Sequence, residues 1–215
     1  MKVGILGSGI VGRTLGSAFL NEGYEVMMGT AHPEKEAVVN WLQSNPGASA
    51  GTFTECASYG DMLVLAVSGH AALKVLEECG AASLTNKVLI DTTNPIEPGP
   101  PDQGVMKFFT NINHSLLEQL QEAFPACRMV KAFNSVGSAF MYQPVFKEGR
   151  PSMFICGNDA DALEHTRIIL DTFGWDTEIM GSAKSARAIE PLCMLWCIPG
   201  FLRNEWTHAF KLLKA

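Results

Sequence analysis

What the chain lacks narrows its identity before any motif is read. No apolar stretch reaches the roughly 18 residues of a membrane span. The longest candidate, Leu192 to Leu202, is shorter and contains Pro199 and Gly200. Lys and Arg form no block, and 16 of them stand against 22 Asp and Glu, for a net charge of −6. Neither nucleic acid nor a membrane surface is therefore expected as a partner. Charged residues make up only 18% of the chain and hydrophobic ones 47%, which excludes a disordered protein and fits a well-filled globule. Lys2 leads at once into a short strand-like run and then glycines, so no signal peptide is read and a cytoplasmic protein is expected. The six cysteines include no Cys-x-x-Cys pair and no His at zinc-ligand spacing, so no metal site is expected. Cys193 and Cys197, four apart on a predicted helix, read as buried reduced thiols, with a redox pair as the alternative.

What is present is an alternation. Strand-like runs at Val3–Leu6, Tyr24–Met28, Met62–Val67, Val88–Asp91, Met129–Ala132 and Met153–Cys156 are separated by helical periodicity. The helical stretches are Ile10–Leu20, Glu34–Gln43, Ala71–Cys79, Leu116–Phe124 and a segment capped by Asn158 that runs to about Phe173. Strands alternating with helices of this length predict βαβ units and a parallel sheet, hence a doubly wound α/β fold. From about Ser182 the chain is helical and unusually apolar. The 215 residues suit one domain with a small lobe: residues 1–181, then a helical C-terminal lobe over 182–215.

The first strand–helix junction reads Gly7-Ser8-Gly9-Ile10-Val11-Gly12. A G-x-G-x-x-G is weak alone, but here it follows a strand, opens a helix and lies inside a βαβ unit, as a dinucleotide-binding loop does. Gly7 serves the tight turn, Gly9 leaves room for a pyrophosphate, and Gly12 lets helix and strand pack closely. The free amides at the helix start then face the anion. After the second strand comes Gly29-Thr30-Ala31-His32-Pro33-Glu34-Lys35, with no carboxylate where an NAD enzyme places one for the ribose hydroxyl. Thr30, His32 and Lys35 are the candidates for a 2′-phosphate, which favours NADP(H); a solvated loop is the alternative for His32 and Lys35.

Taken in order, the glycine loop, the Gly-Thr end of the second strand, Asp91-Thr-Thr-Asn-Pro95, Lys131-Ala-Phe-Asn134 and Ser185-Ala-Arg-Ala-Ile-Glu-Pro-Leu192 resemble the NADPH:coenzyme F420 oxidoreductase family. The cytosolic domain of the STEAP metalloreductases is similar as well. The resemblance implies a Rossmann-type doubly wound parallel sheet with a small helical C-terminal lobe. It also implies hydride transfer between NADP(H) and a flavin-like cofactor, coenzyme F420 or FMN/FAD, in the cleft between them. The family commonly has Ser-Arg or Thr-Arg where this chain has Thr30-Ala31, so a cation expected at the 2′-phosphate is absent there.

Ligands of doubly wound sheets lie beyond the carboxyl ends of the strands. Ala66, Val67, Ser68 and His70 follow the third long strand and are candidates for the cofactor's nicotinamide half. By resemblance, Thr93, Asn94 and Pro95 line the nicotinamide pocket, although Asn-Pro is also ordinary turn chemistry. Asn134 to Val136 form a third edge, so that Asn94, Pro95, Asn134 and Val136 are expected to position the rings. An Arg187–Glu190 pair, a kink at Pro191 and an apolar floor of Leu192, Met194, Leu195 and Trp196 are expected on the last helix, with plain core or a dimer interface as alternatives. No Ser/His/Asp set or paired carboxylates are read. That suits hydride transfer by alignment rather than acid–base catalysis, with the Ile96–Gly104 loop as a candidate lid. The competing class is an NADP(H)-binding redox sensor without turnover. The expected partners are a small-molecule redox co-substrate and a second copy in a homodimer.

Overall fold

Each long strand buries two alternating sets of side chains, and that alternation sets the architecture. In the computed structural model, which describes residues 1–214, β1 (Lys2–Leu6), β4 (Met62–Leu65) and β5 (Val88–Asp91) are almost entirely buried. Ile5, Val64 and Ile90 face one core, while Leu6, Leu65 and Leu89 face another. Strand residues alternate sides, so two helical layers are needed. The first core is closed by α1 (Ile10–Asn21), α2 (Glu36–Ser44) and α7 (Ala160–Thr172). The second is closed by α3 (Phe53–Tyr59), α4 (Gly69–Cys79), the single turn α5 (Ala81–Leu84), α6 (Leu116–Ala123) and the start of α8 (Ala186–Arg203).

With β2 (Glu25–Gly29), β3 (Ser49–Gly51), β6 (Arg128–Lys131), β7 (Ser152–Gly157) and β8 (Asp176–Ile179), the sheet has eight strands in the order β3-β2-β1-β4-β5-β6-β7-β8. Neighbouring strands are parallel except β6 and β7, which run antiparallel through Val130–Gly157 and Lys131–Cys156. The sheet is Rossmann-like and mostly parallel, with its order reversing between β1 and β4. A crevice opens at such a point beyond the strand ends.

Several local expectations are corrected. β3, α3, α5 and β8 add to the expected elements; β3 has three residues and β8 is only half-buried, so neither shows a strong apolar run. The cap of α7 is Asp159, whose side chain accepts from the Ala162 amide, while Asn158 instead accepts from Ala183 N at 3.0 Å. The last helix continues through Pro191 and Pro199 to Arg203. Beyond it the chain turns back: His208 and Trp196 exchange ring-to-carbonyl hydrogen bonds at 2.8 and 2.9 Å, and Ser152 N donates to Phe210 O. No described helix is long and apolar enough to cross a membrane.

Candidate functional site

The glycine loop occupies the switch point. Gly7 has φ +128°, and a side chain there would run into the Ala66 carbonyl, so the loop passes against the end of β4 only because the residue is glycine. A Cβ on Gly12 would strike the Gly7 carbonyl, which fixes how closely α1 meets β1. Above Gly9 there is open space. The amides of Ile10 and Val11 open α1 without intrahelical acceptors, beside that space. A pyrophosphate therefore finds donors and room together.

These residues form one wall of a cavity of about 950 Å³, larger than surface clefts of about 560 and 510 Å³ elsewhere. Gly7, Ser8, Gly9, Ile10 and Val11 line it from the loop, Ala66, Val67, Ser68 and His70 from the end of β4, and Thr93 and Asn94 from the end of β5. Gly69 lets these last two turns touch, since a Cβ there would meet the Asn94 carbonyl. Most of the predicted site residues are thus brought together. Pro95, Asn134 and Val136 are buried and do not line the cavity. Asn134 acts through Asn94: Asn94 Nδ2 donates to the Asn134 carbonyl at 2.8 Å, and Asn134 Nδ2 donates to Asn94 Oδ1 at 3.2 Å and to the Ile189 carbonyl at 2.9 Å. Phe133, buried at φ +61°, makes the turn that presents Asn134.

The Ile96–Gly104 loop belongs to a larger hairpin. Ile96 pairs with Phe108, and Phe109 N donates to the Pro95 carbonyl at 2.9 Å. Ile96, Glu97 and Pro98 edge the cavity. His70 Nε2 lies 3.3 Å from a Glu97 carboxylate oxygen, and its ring packs against Phe109 with centroids 4.2 Å apart and planes tilted by 35°. His70 thus holds the strap to the cavity rim.

The 2′-phosphate candidates lie just outside. Thr30 is buried and shares a 3.0 Å hydrogen bond with the Ser8 hydroxyl, and its Oγ1 accepts from His32 N. His32 is exposed and faces Glu34 at 3.3 Å; Lys35 is exposed on the N-cap of α2. Sequence reasoning passed over Arg13. Half-buried one turn into α1, it donates from Nη1 to the Ser8 carbonyl at 2.7 Å and makes no ion pair among the described residues. A cation directly after the third glycine of the loop was the available signal.

The expected Arg187–Glu190 pair is not formed. Arg187 crosses to Glu118 of α6 at 2.6 Å, and this guanidinium holds the Glu118 carboxyl down at about 2. Glu190 points inward to Lys131 at 3.0 Å, and Lys131 also pairs with Asp91 at 2.6 Å. Burial pulls the Lys131 ammonium's pKa down, but the two carboxylates outweigh it and hold the pKa above its ordinary value. Periodicity alone missed these pairs because a helix reaches past its own surface when the facing element supplies a stronger partner. Leu192, Met194, Leu195 and Trp196 do not line the cavity: Trp196 packs against Gly137, and Leu195 is 55% exposed.

The comparisons with known proteins agree with this geometry. The family described as NADP oxidoreductase, coenzyme F420-dependent, matches residues 2–95. A crystal structure of a candidate F420-dependent NADP reductase from Arthrobacter sp. FB24 is 30% identical over the whole of both chains, with a TM-score of 0.92. Metalloreductase STEAP3 of Rattus norvegicus is 33% identical over 208 residues, 94% of this chain, but the chain spans only 39% of that protein's length. An imine reductase from Myxococcus stipitatus, solved with NADP+, shares the fold at 19% identity and a TM-score of 0.67, covering 95% of this chain and 63% of its own.

Proposed function

The chain belongs to the coenzyme F420-dependent NADP oxidoreductase family, and on that premise we propose that it passes hydride between NADP(H) and a flavin-like second cofactor, F420 or FMN/FAD. The observation that carries the reading is the 950 Å³ cavity, which joins an intact phosphate loop to the tips of β4 and β5. NADP(H) supplies the hydride chemistry, and the residues hold, orient and shield the rings. The Ile10 and Val11 amides receive the pyrophosphate. Thr30 offers a hydroxyl beside the ribose, and Arg13 supplies the cation that Ala31 cannot. Asn94, braced by Asn134, orients the nicotinamide end, and the Glu97 strap excludes water. Alignment of two rings at near-contact distance demands little of protein acids and bases.

The remaining parts of the reading are a cytoplasmic protein and a homodimer formed through the exposed apolar flank of α8, where Leu195, Phe201 and Leu202 are 55%, 43% and 55% exposed. That same flank supports a second reading, an NADP(H)-binding redox sensor that presents α8 to a partner. Anaerobic NADPH oxidation, with F420 and FMN as acceptors in parallel, separates the readings. Turnover with either supports the oxidoreductase and names its acceptor class. Tight NADPH binding with no turnover on both supports the sensor.

A further inference from the structure

The three segments that distinguish this sequence most, Asp91–Pro95, Lys131–Asn134 and Ser185–Leu192, meet in one buried cluster that the hydride reading does not use. Lys131 is wholly buried at the end of β6. Its Nζ lies 2.6 Å from Asp91 Oδ2 and 3.0 Å from Glu190 Oε1, and donates to the Thr93 carbonyl at 2.8 Å. Asp91 Oδ1 accepts from the Thr93 amide at 2.9 Å and its hydroxyl at 2.7 Å. Glu190 Oε2 and Oε1 accept from the Leu116 and Leu117 amides, each at 3.0 Å. Three of the four carboxylate oxygens thus accept from an N–H or O–H donor, and the fourth, Asp91 Oδ2, is held only by its ion pair with the Lys131 ammonium. This is the geometry of two ionised carboxylates around one ammonium.

The balance is a formal charge of −1 at side chains that are 0%, 0% and 2% exposed. The amides opening α6 offset part of the Glu190 charge. Among the described residues, Asp91 takes its hydrogen bonds from Thr93 and from no helix-opening amide. Such a charge is screened by salt far less than a surface charge, and in a medium of low polarity it acts over longer distances. Between it and the cavity stands Thr93, which lines the cavity with Asn94 and is itself bonded to both Asp91 and Lys131.

We propose that the Asp91–Lys131–Glu190 cluster is an electrostatic element of the nicotinamide site, favouring the cationic oxidised ring over the neutral reduced one. The inference rests on the reading that the cavity takes NADP(H) with its nicotinamide toward Asn94. The two forms carry the same phosphates, so their affinity ratio isolates the ring charge. By the same bias, bound NADPH is a stronger hydride donor than free NADPH. Neither Asp91 nor Glu190 touches the reacting atoms; both are positioning residues whose charge reaches the ring through space.

The test is fluorescence titration of the full chain with NADP+ and NADPH, comparing the unaltered protein with Asp91→Asn and Glu190→Gln. Each substitution removes one negative charge at nearly constant volume. A ratio of affinities moved about five- to tenfold toward NADPH, about 1–1.4 kcal/mol, with NADPH affinity nearly unchanged, supports the inference. An unchanged ratio in either folded variant, or equal weakening of both nucleotides, overturns it as the mark of a purely structural cluster. Should both variants fail to fold, the unaltered chain decides. NADP+ bound more tightly than NADPH at low and high salt alike supports a buried charge; a preference that disappears with salt, or its reverse, overturns it. If the unaltered chain binds neither nucleotide, the cofactor reading falls, and the inference with it.

Discussion

Asn94 and Asn134, forty residues apart, fasten the tips of β5 and β6 to each other. The Asn94 side-chain amide donates to the Asn134 carbonyl at 2.8 Å, and the Asn134 amide returns a bond to Asn94 Oδ1 at 3.2 Å. Asn134 also reaches the Ile189 carbonyl on α8, so one side chain joins the cavity wall to the last helix. Replacing Asn134 by Ala leaves a buried carbonyl and the Asn94 oxygen without their donors. The expected loss is about 1–3 kcal/mol of stability, read by urea unfolding. Nucleotide titration of the same variant should show weaker binding, because Asn94 is no longer held in place.

Coenzyme preference provides an independent prediction. Arg13 is held to the Ser8 carbonyl at 2.7 Å and makes no ion pair among the described residues, and the Ser8 hydroxyl in turn bonds the Thr30 hydroxyl. Arg13→Gln is expected to weaken NADPH binding about tenfold, about 1.4 kcal/mol, with NADH affinity unchanged. Equal loss for both coenzymes would instead assign Arg13 to the pyrophosphate. His32→Ala should change the preference less, since His32 is exposed and already faces Glu34.

Acid should loosen α8 from α6 through the Arg187–Glu118 pair. The Arg187 guanidinium, with help from Ser115, holds Glu118 at about 2, below its ordinary 4.5. A carboxyl lowered in the folded state contributes stability that is complete above the unfolded value and is lost as pH falls from about 4.5 toward 2. Unfolding followed against pH should show this loss in the unaltered chain, and Glu118→Gln should flatten the profile in that window.

Thiol reactivity should be sharply uneven. Burial pushes Cys56, Cys79, Cys127 and Cys156 up to about 12. Cys197 is half-buried, and a hydrogen bond from Cys193 lowers it while raising Cys193. Thiolate is the reactive form. Limited alkylation of the native protein followed by peptide mass mapping should therefore label Cys197 first and leave the four high thiols until unfolding.

The phosphate loop was legible because three glycines, a strand and a helix must occur together for it to work, and each leaves its mark in the sequence. The same holds for β1, β4 and β5, whose continuous apolar runs reflect burial on both faces. β3 and β8 were not legible: three residues in one and half-buried polar positions in the other give periodicity nothing to report. Arg187 and Glu190 show the limit of local rules. Their spacing suits a surface pair, but the partners that claimed them, Glu118 and Lys131, come from α6 and β6 and are fixed only by the fold. The sequence places Asn134 at an edge of the cleft but not its partners, which depend on the turn at Phe133 that directs its side chain to Asn94 and Ile189.

Hydride passing directly from NADPH to a flavin-like ring leaves an isotopic trace. The most direct measurement is anaerobic oxidation of NADPH carrying deuterium on the transferred C4 position, with F420 and FMN as acceptors. The expected result is turnover with one of them, a slower rate for the deuterated coenzyme, and, where the acceptor is F420, deuterium retained on the carbon at the centre of the reduced deazaflavin. NADPH that binds tightly but is oxidised by neither acceptor would contradict it.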